Sequence, residues 1–194
     1  MVAVIDYDCG NLRSVSNALA RLRCEHRITR DESTVRSASH IILPGVGAAS
    51  STMKSLKNTG LDKLLPQLSQ PVLGICIGMQ LMCRFSEEGN VQCLGIFEAN
   101  VQRLVVPDGF KVPHMGWNTV VQCSSPLTEG IADGAYFYFV HSYAPTPEKH
   151  SAALTYYGNP FSSILQNANF FGTQFHPEKS GAAGERLLAN FIKL

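Results

Sequence analysis

Three short, mostly apolar runs, Val2–Ile5, His40–Leu43 and Val72–Ile75, each lead through a glycine-containing turn into a segment of helical period. Runs this short, with little polar alternation, suit strands buried on both faces, so helices must cover both sides of the sheet they form. The first helix is marked by Leu12, Val15, Leu19 and Leu22 at three- and four-residue spacing, and others are expected near 50–57, near 61–68 and after Gly78, where Met79, Met82 and Cys83 share a face. The succession β-α-β-α-β-α is the pattern of a parallel sheet. Residues 101–106, 119–122, 135–140, 152–157, 163–166 and 170–175 then read as strands divided by Gly, Pro and Asn turns, before a last helix at 185–192. The expected fold is α/β and three-layered, with a largely parallel central sheet flanked by helices and extended by antiparallel strands. No Pro/Gly/Ser-rich linker interrupts residues 1–194, which are expected to form a single domain.

Composition narrows the function. Sixteen Lys and Arg against fifteen Asp and Glu give a net charge of +1, and no basic stripe exists to follow a phosphate backbone, so nucleic acid is not an expected partner. The longest apolar runs, such as 136–140, are far too short to span a bilayer, and the N-terminal MVAVIDYD lacks the basic n-region of a signal peptide. Cys9, Cys24, Cys76, Cys83, Cys93 and Cys123 contain no C-x-x-C pair and no zinc spacing with the histidines, so neither a disulfide framework nor a metal site is expected. A cytoplasmic setting follows. Charged residues make up only 16% of the chain, which implies either a large core or a surface covered by something else.

Gly74-Ile75-Cys76-Ile77-Gly78 places a cysteine at the centre of G-x-C-x-G between a buried strand and a helix, the thiol counterpart of a nucleophile elbow. The glycines are expected to permit the sharp turn, and the helix N-terminus favours a thiolate. Among six histidines, His176 stands out because Glu178 follows two residues later across Pro177. An extended backbone before proline would put both side chains on one side, where the carboxylate can orient the imidazole. His141 is the next candidate base, and His114 is ambiguous. The amide of Ile77 is the natural first oxyanion donor, and Pro44-Gly45-Val46-Gly47, ending an adjacent strand, can supply a second from Val46 or Gly47. Residues 45–50 also approach G-x-G-x-x-G, but Ser50 replaces the third glycine and no acidic strand end follows.

These motifs, Pro44-Gly45-Val46-Gly47, Gly74-Ile75-Cys76-Ile77-Gly78-Met79-Gln80 and Phe175-His176-Pro177-Glu178, in this order across most of the chain, resemble the class I glutamine amidotransferases. Three further segments are similar to the branch serving imidazole glycerol phosphate synthase: residues 6–14, Pro113-His114-Met115-Gly116-Trp117-Asn118 and Phe139-Val140-His141-Ser142-Tyr143. Asp8 departs from the family, which commonly carries glycine there.

The resemblance implies hydrolysis of glutamine to glutamate and ammonia, with Cys76, His176 and Glu178 as the catalytic triad and no cofactor. It further implies that Gly45, Gln80, Glu88, Ser142 and Tyr143 hold glutamine. It also implies a partner, a cyclase subunit with a (β/α)₈ barrel that receives the ammonia, with Asn11, Arg13, Trp117 and Lys179 on the contact face. The Gly45–Val46 peptide, beside the oxyanion site, is a candidate switch. A glutaminase serving another amidotransferase, a stand-alone cysteine hydrolase and a redox-sensing or chaperone relative are the alternatives.

Overall fold

The structure, a computed structural model, describes residues 1–7, 11–45 and 47–194. The departure at Asp8 and the oxyanion and switch assignments of Val46 lie outside the described residues. The first half runs β1 (Val2–Ile5), α1 (Leu12–Arg21), β2 (His26–Thr29), α2 (Glu32–Ser37), β3 (His40–Leu43), α3 (Ala49–Asn58), α4 (Leu61–Leu64), β4 (Val72–Ile75) and α5 (Ile77–Met82). Three short strands follow, β5 (Phe85–Ser86), β6 (Val91–Gln92) and β7 (Asn100–Arg103), then β8 (His114–Val120) and β9 (Ala135–His141). The chain finishes with β10 (Tyr143–Pro145), β11 (Ser151–Tyr157), β12 (Asn159–Asn167), β13 (Phe170–Thr173) and α6 (Gly181–Ile192).

The central sheet has seven strands in the order β11-β12-β13-β4-β3-β1-β2. From β13 to β2 all neighbours are parallel, while β12 and β11 add on antiparallel. The chain steps one way from β1 to β2 and the other way from β2 to β3, so right-handed crossovers put α1 and α2 on opposite faces. Every residue of β1 and β4 is buried, as expected of strands covered on both sides. Their side chains belong to one continuous core cluster that also takes in Leu19 of α1, Leu56 of α3 and Leu187 and Phe191 of α6. Among the described residues no helix is long and apolar enough to cross a membrane.

The α/β class and the antiparallel extension match the expectation, with some differences. Strands β2, β5, β6 and β10 and helix α2 have no counterpart among the elements expected from sequence. The residues of β2 alternate poorly, two of the four being exposed, so an edge strand of this length carries no period to read. Helix α2 is only six residues long and is held at its start by Asp31, whose carboxylate accepts from Thr34 N–H at 2.8 Å. Finally, not all antiparallel strands join the central sheet: β8 pairs with β9 as a separate hairpin, and β10, β7, β5 and β6 form a small sheet of their own.

Candidate active site

Parallel pairing brings the ends of β4 and β13 together, with Ile75 opposite Thr173 and the Cys76 N–H donating to the Thr173 carbonyl at 2.7 Å. The elbow works differently from expectation. Its strained residue is the cysteine itself, at φ 52° and ψ −109°, a region non-glycine residues rarely occupy. The flanking glycines serve close packing. A Cβ on Gly78 would overlap the Leu43 carbonyl, and one on Gly45 would overlap the backbone nitrogen of Gly78. The loop after β3 is therefore pressed directly against the start of α5, which keeps Gly45 and Gly47 beside Cys76 and Ile77 in one cleft. Ile77 opens α5, so its N–H has no acceptor within the helix and is available to a ligand.

His176 Nδ1 lies 2.9 Å from Glu178 Oε1, and both side chains are almost completely buried. The expected extended His-Pro-Glu segment is instead a short 3₁₀ turn, Pro177–Lys179, with only His176 itself extended at φ −99°. The turn lifts the carboxylate back onto the ring. Burial by itself would lower the His176 pKa, but contact with Cys76 and Glu178 outweighs it and raises the value to about 10. Nε2 of His176 is nevertheless a buried nitrogen that forms no hydrogen bond among the described residues. Cys76 is thus close enough to act on the ring, and Nε2 remains available for a proton transfer.

Cys76, His176, Gln80, Glu88, Ser142 and Tyr143 line one cleft of about 250 Å³ together with Gly45, Gly47 and Ile77. That is below the roughly 300–1,000 Å³ of sites for larger ligands and suits one small metabolite. Gln80 donates from Nε2 to the Tyr143 carbonyl at 2.9 Å, and its Oε1 is a buried acceptor with no partner among the described residues. Glu88 accepts from the first N–H of α3, Ala49, at 2.9 Å, so the helix end holds this carboxylate at the cleft.

The four residues expected at a partner face separate. Trp117 is 55% exposed on the hairpin, and Lys179 is exposed with Nζ 5.8 Å from the centre of the Tyr138 ring. Arg13 is exposed on α1. Asn11, half-buried at the start of α1, instead reaches inward, its Nδ2 a long 3.5 Å from Glu178 Oε1. Sequence reasoning missed Gln174, fully buried, whose Nε2 points to Cys76 Sγ at 3.6 Å. The signal was there: it is an amide in the largely apolar stretch Phe170–Phe175, two residues before His176.

The family described as glutamine amidotransferase class-I matches residues 3–194 of this chain. Imidazole glycerol phosphate synthase subunit HisH of Bacteroides fragilis (strain YCH46) is 54% identical over 194 residues, covering 100% of this chain and 99% of that protein. The protein of the same description from Escherichia coli (strain K12) is 47% identical over 195 residues, with the same coverage. Among solved structures, PurLQS from Thermotoga maritima superposes with a TM-score of 0.74 at 16% identity, over 99% of this chain and 97% of that one, a likeness of fold. With the family matching nearly its whole length and relatives this similar end to end, the chain belongs to the class I glutamine amidotransferases and, among them, groups with the HisH subunits of imidazole glycerol phosphate synthase.

Proposed function

We propose that this chain is the glutaminase subunit of imidazole glycerol phosphate synthase, acting in the cytoplasm as one domain whose acceptor reaction lies on another chain. The observation that carries the mechanism is the buried contact of 2.9 Å between His176 and Glu178 beside a cysteine held in a strained elbow. Cys76 attacks the side-chain amide carbon of glutamine, and the developing oxyanion is met by the N–H groups of Ile77 and the Val46–Gly47 segment. His176 passes the thiol proton to the departing nitrogen, which leaves as ammonia. It then takes a proton from water, and the resulting hydroxide displaces glutamate from the thioester, restoring the thiol.

Glu178 keeps the imidazole oriented and stabilises its positive charge. The Gln80 Oε1 acceptor, Glu88, and the Ser142–Tyr143 segment hold the amino-acid end of the substrate. Ammonia in neutral water is mostly ammonium, which is no nucleophile, so the product must pass directly to a partner. We assign that partner as a cyclase subunit with a (β/α)₈ barrel, docking on Trp117, Lys179 and Arg13, with Asn11 linking this face to Glu178.

Ammonia release from glutamine, measured with and without the barrel subunit, tests the reading. Cys76→Ala is expected to abolish release, and the partner is expected to raise it in the unaltered protein. Full turnover in Cys76→Ala would remove the nucleophile assignment, and equal turnover with and without partner would favour a stand-alone hydrolase.

A further inference from the structure

Cys76 Sγ is the end of a continuous hydrogen-bond chain that begins on the hairpin. Asn118 Nδ2 is 3.3 Å from His114 Nε2, His114 Nδ1 is 3.0 Å from His141 Nε2, and His141 Nδ1 is 2.9 Å from the Tyr143 carbonyl. The same carbonyl accepts from Gln80 Nε2, which also donates to Gln174 Oε1 at 3.0 Å, and Gln174 Nε2 meets the sulfur. The direction of every link is determined by the carbonyl, which can only accept. His141 must therefore donate from Nδ1 and accept at Nε2, so His114 donates from Nδ1 and accepts at Nε2 from Asn118. Each neutral imidazole has one donor and one acceptor, and both are used. Gln80 likewise must turn its NH₂ toward Tyr143, which commits Gln174 to present its carbonyl to Gln80 and its N–H to Cys76. Burial keeps both histidines neutral, with pKa values lowered to about 4 for His114 and about 3 for His141, as this directional chain requires.

We propose that Gln174 is a positioning residue for Cys76, donating to its sulfur, and that the Asn118–His114–His141 chain acting through Tyr143 and Gln80 holds Gln174 in that orientation. The inference rests on the reading of Cys76 as the nucleophile. An N–H aimed at the sulfur favours the thiolate over the thiol and holds its direction on a strained backbone. A fully buried glutamine at this place has its cost met only because all its polar atoms are engaged. Register supplies the geometry: Gln174 follows Thr173 as Cys76 follows Ile75 on paired parallel strands.

The test is the alkylation of Cys76 in the intact chain by iodoacetamide, followed by mass spectrometry of the Cys76 peptide. Gln174→Met, which keeps the volume and removes the donor, is expected to slow alkylation about tenfold at neutral pH, the lower end for loss of a hydrogen bond to a charged group. The rate–pH profile should move up by about one unit, and kcat of the complex with its partner should fall in parallel while KM for glutamine changes less than about twofold. The titratable groups that line the cleft with the sulfur are His176, with Glu178 behind it, Glu88, His141 and Tyr143, all unaltered in these variants. At the far end, His114→Phe should also slow alkylation, and His114→Asn, which returns an amide N–H at the place of Nδ1, should restore it.

Wild-type alkylation rate and pH profile in folded Gln174→Met would overturn the proposal. If that variant does not fold, equal rates in the two His114 variants would do so. Slowed alkylation with unchanged kcat would count instead against Cys76 as the nucleophile.

Discussion

The backbone N–H of His176 donates to the carbonyl of Tyr138 at 2.9 Å, which ties the imidazole to the middle of β9. Tyr138 is opposite Trp117 in the hairpin, with ring centres 6.2 Å apart, and its own N–H donates to Ser180 Oγ at 3.0 Å. One face of the hairpin therefore carries the exposed Met115, Trp117 and Tyr136, while its backbone and other face carry the support of the site. Whatever covers the exposed face acts on the strands that contain His114 and His141 and that hold the backbone of His176.

Trp117→Ala is expected to weaken binding of the proposed barrel subunit by about ten- to a hundredfold, as for an aromatic anchor, with folding stability of the free chain nearly unchanged because the ring is more than half exposed. Titration calorimetry with the isolated partner, alongside urea unfolding of the variant, checks both halves. A large loss of stability with unaltered affinity would assign Trp117 to the fold instead.

Glu178→Gln keeps the shape of the turn but removes the negative charge beside Nδ1. We expect kcat to drop on the order of 10²–10³-fold, somewhat less than for loss of charge in a serine-protease triad, with KM for glutamine little altered. Steady-state ammonia release by the complex measures this, and an activity within a few-fold of the parent would separate Glu178 from catalysis.

Gly78→Ala should be damaging out of proportion to one methyl group. The new Cβ would overlap the Leu43 carbonyl, a backbone atom that cannot turn aside. Overpacking of this kind costs about 1–3 kcal/mol, and the forced separation of β3 from α5 should also spread the oxyanion donors. The expected outcome is a lower urea midpoint together with reduced turnover, and a variant that keeps both would show the contact to be compliant.

Stability should fall on acidification from neutral pH. His114 and His141 stay neutral in the folded chain, with pKa values near 4 and 3, whereas the unfolded chain takes up protons below about 6.5. The unfolded state then binds more protons, so stability drops as pH falls, by at most about 1.4 kcal/mol per pH unit for each histidine. His176 has the opposite sign: its raised pKa stabilises the fold below about 6.5, and that contribution is lost as pH rises toward about 10. Urea midpoints between pH 7 and 5 should decline in the parent protein and flatten in His114→Phe. Parallel slopes would place the acid sensitivity elsewhere.

Much of the fold was legible because burial on both faces leaves its mark in composition: β1, β3 and β4 are short, mostly apolar runs whose length and flanking turns mark them as strands. The hairpin was less so. Its first strand begins at His114, five residues before the stretch read as extended, because Gly116 and Asn118 interrupt any apolar alternation. Asn118, one of the residues that obscured the strand, belongs to the hydrogen-bond chain with His114, and a strand built around a buried histidine does not look like a strand in sequence.

The order of motifs along the chain was enough to establish the α/β class and the family, since strand burial, glycine at crowded turns and the G-x-C-x-G centre are local requirements. Three things depended on folding. The strain sits on Cys76 rather than on its glycines, because parallel pairing with β13 pins its N–H while α5 starts immediately after it. Glu178 reaches His176 through a 3₁₀ turn packed against α6, β9 and α1. Gln174 meets Cys76 because two strands 98 residues apart in sequence lie side by side. Such contacts are products of register between distant segments, and register is decided by the whole sheet, not by any one stretch of residues.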